Sequence, residues 1–355
     1  MKKIVFLVGG MGRGGAERVI SILSNYYVEK GWKVDICMLL HNTVEYELNE
    51  EINVIDMSYE NMRFPINRIK MLLKLRKYIK KEAGNIIVPF LAKMNVIFMF
   101  ATLGLDLTNK RIVTSERIDP YCSGYSPVLR FFVNKSFEKA DCIVFQTERA
   151  QGFYSENIKS KSVIIGNPVA LKVLRKKSDK HIIITAGRLV PQKNQKMLIK
   201  AFSNIASKYS DYVLHIYGKG KLYDEFKKLI TDLRMEDRIF LKGVSSIYQE
   251  KLSEAEIFVL PSNFEGLSNA LLEALLMGIP SISTDCAGAD EVIDNYQNGI
   301  IIPVGNEVEL EKQLEKLIRD KQLQKKLSEN SKKLSQRYSL EKVINKWTEV
   351  FEQVN

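Results

Sequence analysis

Two carboxylates, Glu265 and Glu273, stand eight positions apart within Pro261-Ser262-Asn263-Phe264-Glu265-Gly266-Leu267-Ser268-Asn269-Ala270-Leu271-Leu272-Glu273-Ala274. The apolar run at 257–261 reads as a buried strand that stops. Residues 267–277 read as an apolar helix closed by Gly278 and Pro280. Glu265 and Gly266 thereby fall in the turn from strand to helix, where open N–H groups favour an anion. Glu273 lies about two helical turns further on, near the same face. Two carboxylates beside a helix start suit a ligand bearing both phosphates and hydroxyls, such as a nucleotide sugar. Two ordinary surface acids on a solvated helix would give the same spacing. The apolar neighbours Ala270, Leu271, Leu272, Ala274 and Leu275 mean that the Glu273 charge needs a partner.

A second constellation is Ala186-Gly187-Arg188-Leu189-Val190-Pro191-Gln192-Lys193-Asn194, with an apolar helix after it. Arg188 can grip a diphosphate with paired donors, and Lys193 supplies a point charge. Each alone would be a surface cation; together, at the end of a strand, they favour an anion site. A third is Gly9-Gly10-Met11-Gly12-Arg13-Gly14-Gly15-Ala16-Glu17-Arg18, where Gly10, Gly12 and Gly15 match G-x-G-x-x-G. Such a loop lets backbone approach a phosphate, with a helix starting near Gly15. The dinucleotide version also needs an acid at the end of the second strand. That strand ends Met38-Leu39-Leu40-His41-Asn42, with Asp35 inside it and Glu45 late. A nicotinamide-dependent oxidoreductase therefore rests on the glycines alone. The fourth is the stretch from Arg68 to Lys81, with seven basic residues and no acid. At helical pitch Lys70, Lys74, Lys77 and Lys81 form one stripe, away from Met71, Leu72, Leu75, Tyr78 and Ile79. It is either a solvated basic face or a contact for anionic lipid or a lipid-linked pyrophosphate.

The elements that must position these residues alternate along the chain. Runs at 3–8, 33–40, 86–90, 112–115, 142–145 and 163–165 read as strands, with helical stretches between them. This is the βαβ pattern of an α/β, doubly wound parallel sheet. It breaks at Gly166-Asn167-Pro168 and a basic stretch, then resumes with strands at 181–186, 212–217, 239–241, 257–260, 281–283 and 300–302. The reading is two Rossmann-like domains, 1–168 and 169–355, with a linker near 167–179. A last helix at about 340–354 holds Trp347 and Phe351 and is free to pack back on the first domain. Ligands of such sheets bind at the carboxyl ends of strands.

The chain has 355 residues, 45% of them apolar and 27% charged, as in a globular protein. The four cysteines are scattered, which fits reduced thiols of a cytosolic protein and no metal motif. The apolar run after Lys3 is too short for a signal core. The window 85–105 reads as a strand and a helix rather than a membrane span. Net charge is +11, and residues 1–168 carry 24 basic against 17 acidic residues. That bias favours an anionic partner: membrane, nucleic acid or phosphorylated substrate. The basic stripe lacks the interleaved aromatic platform of single-strand binders, so nucleic acid is not expected.

Gly14-Gly15-Ala16-Glu17-Arg18, Gly187-Arg188-Leu189 with Lys193-Asn194, and the Glu265-to-Glu273 spacing together resemble the retaining bacterial glycosyltransferases of family 4. Ala140-Asp141-Cys142-Ile143-Val144 and Gly166-Asn167-Pro168-Val169 also fall where that family places similar words. The resemblance implies a GT-B fold, two Rossmann-like domains facing across a cleft, with no metal and no cofactor beyond the donor, a UDP-sugar. It implies that Arg188 and Lys193 hold the donor diphosphate, Glu273 the ribose and Glu265 the transferred sugar. Backbone N–H groups of Leu267 and Ser268 would reach the phosphates, and Gly15 would let its loop close on them. Val244 would meet the base through its backbone. Many relatives carry a histidine after the strand that here reads Val113-Thr114-Ser115-Glu116-Arg117; this chain has none there, and Glu116 or Arg117 is left to do related work. Certain N-glycan-assembly members have a basic helix near 68–81, which points Arg68, Lys70, Lys74, Lys77 and Lys81 to a lipid-linked acceptor or anionic membrane. The expected function is extension of a surface glycan from the cytoplasmic side, peripheral at the inner face of the cell membrane.

Overall fold

The computed structural model describes residues 2–176, 180–286 and 288–353. Residues 177–179 of the expected linker and Val354 of the expected last helix lie outside the described residues. The chain divides into two compact units, Met1–Pro168 with Glu341–Asn355, and Val169–Leu340.

The first unit holds strands β1 (Lys3–Val8), β2 (Lys33–Met38), β3 (Asn53–Asp56), β4 (Ile86–Pro89), β5 (Arg111–Glu116), β6 (Cys142–Phe145) and β7 (Ser162–Ile164). All pair in parallel, in the order β3-β2-β1-β4-β5-β6-β7. The second holds β8 (Ile182–Ala186), β9 (Val213–Tyr217), β10 (Ile239–Gly243), β11 (Ile257–Leu260), β12 (Ser281–Thr284) and β13 (Ile300–Ile302). These too are parallel, in the order β10-β9-β8-β11-β12-β13. Parallel strands are covered on both faces, which is why β1 and β11 read as unbroken apolar runs and why both are buried. The edge strand β3 escaped the sequence reading because Asn53 and Asp56 bracket only two apolar residues, and its burial is slight.

The longer helices of the first unit are α1 (Gly15–Glu29), α2 (Pro65–Lys81), α3 (Ala92–Ala101) and α4 (Pro127–Glu138). Right-handed crossovers place α1 on one side of the sheet and α2, α3 and α4, packed side by side, on the other. Val5 and Leu7 of β1 join Met71, Leu75, Met94 and Phe98 in the core on the α2 side. Phe6 instead meets Phe90 edge-on, with ring centroids 6.5 Å apart. The last helix, Leu340–Glu352, packs there as well: Trp347 stacks on Phe90 at 6.2 Å, and Phe351 meets Tyr27 of α1 at 5.4 Å. No helix among the described residues is long and apolar enough to cross a membrane.

Candidate active site

In the second sheet, the chain leaves β8 toward β9 on one side, while β11 and β12 lie on the other. The loops that follow β8 and β11 therefore diverge at the point where strand order reverses, the place where open α/β sheets bind ligands. Those loops are 187–194 and 261–268, the two segments singled out in the sequence. They are laced together. Asn263 N donates to Gln192 O at 2.8 Å, Gln192 Nε2 to Phe264 O at 2.9 Å, and Asn263 Nδ2 to Pro191 O at 3.0 Å. Asn194 takes a left-handed conformation with φ 45° and donates to Asn263 Oδ1 at 3.0 Å. Two glycines let further backbone pass against these loops. A Cβ on Gly218 would sit 1.9 Å from Gly187 O, and one on Gly288 would sit 2.0 Å from Gly266 O.

At the centre, Lys193 Nζ is ion-paired with Glu265 Oε1, and Ser262 Oγ donates to the same oxygen at 2.7 Å. Glu265 is buried, and the Lys193 side chain nearly so. Lys193 and Glu265, expected on different parts of a donor, are thus brought together and bind each other. Thr284 Oγ1 donates to Ser262 O at 2.6 Å, fixing the loop from β12. Burial first, then the Glu265 charge, pushes the nearby Cys286 thiol up to about 12, so it stays protonated at neutral pH. Arg188 is exposed, with Nη2 3.4 Å from Gln192 Oε1, a long contact that leaves the guanidinium facing solvent.

The helix expected at 267–277 runs Asn269–Leu276. Ser268 is its N-cap, its Oγ accepting from Leu271 N at 3.4 Å, so the hydroxyl is turned to the helix itself. Leu267 and Ser268 are buried beside Glu265 in sequence. Glu273 is 1% exposed, and the partner demanded by its apolar surroundings is Gln249, whose Nε2 donates to Oε1 at 2.6 Å. The Gln249 amide is held in turn, Nε2 donating to Ala170 O at 3.0 Å and Oε1 accepting from Lys172 N at 2.8 Å. The sequence reading missed Gln249, Ser262, Gln192 and Thr284. Gln192 and Ser262 stand inside the two constellations without a role of their own, Thr284 ends β12, and Gln249 lies in the short helix Tyr248–Ser253 with no sequence signal to mark it. Val244 follows β10 directly and is half exposed. From Val244 a groove of about 740 Å³ runs along β9 past Tyr217 and His215 to His181, away from Glu265. Burial, helped by Lys242, Lys180 and Lys251, holds His215 down at about 4, neutral at physiological pH.

The remaining residues belong to the first unit. Gly15 opens α1 behind an N-cap, Gly14, that has no side chain to cap with. The glycine loop is held by the segment after β2: Met11 N donates to Thr43 O at 2.8 Å, Tyr46 OH to Gly14 O at 2.9 Å, and Arg13 N to Glu45 Oε2 at 2.9 Å. Both acids that a ribose would have needed are engaged within the unit, since Asp35 pairs with Lys3 at 2.7 Å and accepts from Tyr78. Glu116, expected to face the reaction, is turned inward. It is 1% exposed, and Oε1 accepts from Arg117 N at 3.1 Å and Ile118 N at 3.3 Å. Burial raises its carboxyl to about 7 and lowers the Arg117 guanidinium to about 9. Arg117 lies over the rings of Phe90 and Trp347, at 5.0 and 5.3 Å, and donates to Ile165 O at 3.1 Å. On α2, Lys74 of the expected stripe is exposed but has a partner within the unit: its Nζ donates to Asp56 O at 2.6 Å.

Residues 168–334 match the family described as glycosyl transferases group 1. An uncharacterized glycosyltransferase of Haemophilus influenzae is 29% identical over 356 residues, covering 98% of this chain and 99% of that protein. The chain is a glycosyltransferase, with a group 1 region at 168–334. A second relative is the N-acetylgalactosamine-N,N'-diacetylbacillosaminyl-diphospho-undecaprenol 4-alpha-N-acetylgalactosaminyltransferase of Campylobacter jejuni, 27% identical over 355 residues and 94% of each chain. The crystal structure of HepE of Anabaena, in complex with UDP and glucose, superposes with a TM-score of 0.86 over 100% of both chains at 17% identity. That likeness makes the transferase a GT-B protein in fold.

Proposed function

We propose that the transferase moves a hexose or N-acetylhexosamine, with retention, from a UDP-sugar to a lipid-linked or growing surface-glycan acceptor at the cytoplasmic face of the cell membrane. The observation that carries the donor half is the Lys193–Glu265–Ser262 cluster between the ends of β8 and β11, with the exposed Arg188 beside it. Arg188 and Lys193 take up the charge that develops on UDP as the C1–O bond breaks. Glu265 receives hydroxyls of the transferred sugar, and Leu267 and Ser268 offer backbone N–H groups to phosphate. Glu273, held by Gln249, receives the ribose hydroxyls, and the Val244 backbone meets the base. Charge stabilisation on the departing diphosphate is then the main catalytic effect. The acceptor hydroxyl attacks from the face that UDP leaves, and its proton passes to the departing phosphate oxygen. No protein nucleophile and no metal is required. Glu116, being buried, serves as a positioning residue for the turn 116–118, and Gly15 as part of the phosphate-facing loop.

The acceptor half has its support in relatives. Two Campylobacter jejuni enzymes, 27% and 24% identical along nearly the whole chain, carry undecaprenol-linked acceptors in their names. The basic residues Arg68, Lys70, Lys77 and Lys81 of α2 suit the pyrophosphate or the anionic surface around such an acceptor. A panel of nucleotide sugars, scored by thermal shift and slow donor hydrolysis, tests the donor class. Arg188→Ala should weaken UDP binding by roughly 1–3 kcal/mol, the scale for a charged hydrogen-bond partner. Unchanged UDP affinity in a folded Arg188→Ala protein removes the assignment.

A further inference from the structure

At the amino ends of the second sheet, away from the Lys193–Glu265 pair, a cavity of about 520 Å³ gathers charged side chains from several segments of the second unit. His181 stands just before β8 and Glu256 just before β11, so the length of those strands separates the cavity from the loops 187–194 and 261–268. Lys321, Gln324 and Ser328 of the helix Lys321–Ser331 line it at spacings of three and four, and Lys332 follows on the same stripe. Both acids of the cavity are already engaged. Glu256 Oε1 accepts from Tyr212 OH at 2.6 Å, from Gln324 Nε2 at 2.7 Å and from Lys321 Nζ, and Oε2 lies 2.7 Å from His181 Nδ1. Burial opposes its charge, but these partners outweigh burial and hold the carboxyl down at about 2. Glu254 is paired with Lys180 at 3.1 Å and Lys251 at 3.8 Å.

Three cations remain. Arg175 donates from Nη1 to Gly278 O and, at 3.0 Å, to Ser328 Oγ, both neutral groups. Burial, offset only in part by the more distant Glu256, lowers its guanidinium below the ordinary value, as for a charge short of a counter-ion. Gly278 has φ 74°, and a Cβ on it would collide with Lys332 Cε. The absent side chain lets Lys332 lie against the residue that holds Arg175. Lys176 is fixed beside them by its backbone N–H, which donates to Ser253 O at 3.1 Å. Among the described residues, no carboxylate is bonded to the side chain of Arg175, Lys176 or Lys332.

We propose that this cavity is a second anion site, which binds a small phosphate ester apart from the sugar donor. Arg175, Lys176 and Lys332 hold the phosphoryl group. Ser328, whose Oγ accepts from Arg175, offers its hydroxyl proton to the same group. A forked guanidinium with two point charges and a hydroxyl matches a tetrahedral dianion better than a planar carboxylate. The space exceeds a phosphate ion and admits the rest of an ester. Gly278 also closes the helix that carries Glu273, its N–H donating to Leu275 O at 2.9 Å, so an occupied site braces that helix at the end far from Ser268. The site shares no residue with the proposed donor site and stands whether or not that reading holds.

The test is calorimetric titration with inorganic pyrophosphate, and separately with UDP, at constant ionic strength. Two variants cross the two sites. Lys176→Gln with Lys332→Gln changes two exposed side chains, and thermal unfolding checks that the fold is kept. Arg188→Ala weakens the proposed donor site alone. The lysine pair should lower pyrophosphate affinity by about tenfold or more and leave UDP affinity as it is. Arg188→Ala should do the reverse. Arg175→Gln should act as the lysine pair does, and where that variant fails to fold the lysine pair decides. Failure of UDP to bind any of these proteins, with pyrophosphate still lost in the lysine pair, removes the donor reading and keeps the anion site. Equal pyrophosphate affinity in parent and lysine pair overturns the site. So does a parent that binds no pyrophosphate, or pyrophosphate binding that disappears with Arg188 and not with the lysines.

Discussion

At the scale of single residues, the proposed donor site holds its lysine and its glutamate already paired. Lys193 and Glu265 neutralise each other, so a donor must meet that pair before it meets either charge. In Glu265→Gln the lysine loses its ionic partner and is freed toward phosphate. UDP affinity should then hold or rise, while single-turnover transfer falls by about tenfold or more, the pattern of a contact that counts mainly in the transition state. A variant that loses UDP affinity with turnover intact would mean that Glu265 and Glu273 have exchanged roles. Glu116 makes a prediction of a different kind. Its folded carboxyl titrates at about 7, above the ordinary 4.5, because burial disfavours the charged form. The stability this gives is full below about pH 4.5 and lost as pH rises through about 7, where the folded protein must give up the proton. Glu116→Gln should therefore stabilise the protein at about pH 8 by roughly 1–3 kcal/mol and do little at about pH 5. Urea unfolding of both proteins at both pH values checks this; a pH-independent difference rejects it.

At the scale of elements, α2 has the most specific behaviour to test. Of the four lysines aligned by helical pitch, Lys74 is tied to Asp56 O, which leaves Lys70, Lys77 and Lys81 for solvent. Each lysine near an anionic surface is worth on the order of 1 kcal/mol. Replacing those three with Gln should remove most of the salt-sensitive vesicle binding, and adding Lys74→Gln should change little more. Vesicle sedimentation at low salt decides it, and an equal drop for Lys74→Gln alone rules out the tied lysine. The same elements show what could be read in advance. Buried parallel strands are apolar along their whole length, so β1, β4, β6, β8 and β11 were legible within a residue or two. The strand–turn–helix around Glu265 was legible because the apolar run, the glycine and the helix closure all agreed. What could not be read were partners distant in sequence: Gln249 for Glu273, Asp56 O for Lys74, and Ser262 with Lys193 on one oxygen of Glu265. The inward turn of Glu116 was hidden for the same reason, because burial belongs to the sheet and not to the strand.

At the scale of the whole molecule, the chain crosses from its first unit to its second near Pro168 and returns with its last helix. The sequence offered the aromatic residues of that helix but not where they would be buried. Trp347 is fully buried, stacked on Phe90 at the end of β4 and set over the Arg117 guanidinium. The first unit therefore depends on residues that follow the whole second unit in the chain. Trp347→Ala should cost about 3–5 kcal/mol as a large-to-small core change. It also removes one of the two rings that cover a buried cation, which has no carboxylate bonded to its side chain among the described residues. The loss should fall on one unit, because Trp347 meets the rings of Phe90 and Phe351 and the Arg117 guanidinium, all within the first. Hydrogen exchange reads this directly: protection at 4–8 and 86–90 should drop, while protection at 182–186 and 257–260 should hold. UDP binding, proposed for the second unit, should survive in the same variant while transfer to an acceptor falls. Equal loss of protection in both sheets would mean that the two cores unfold as one, and the division of labour between the units would have to be given up.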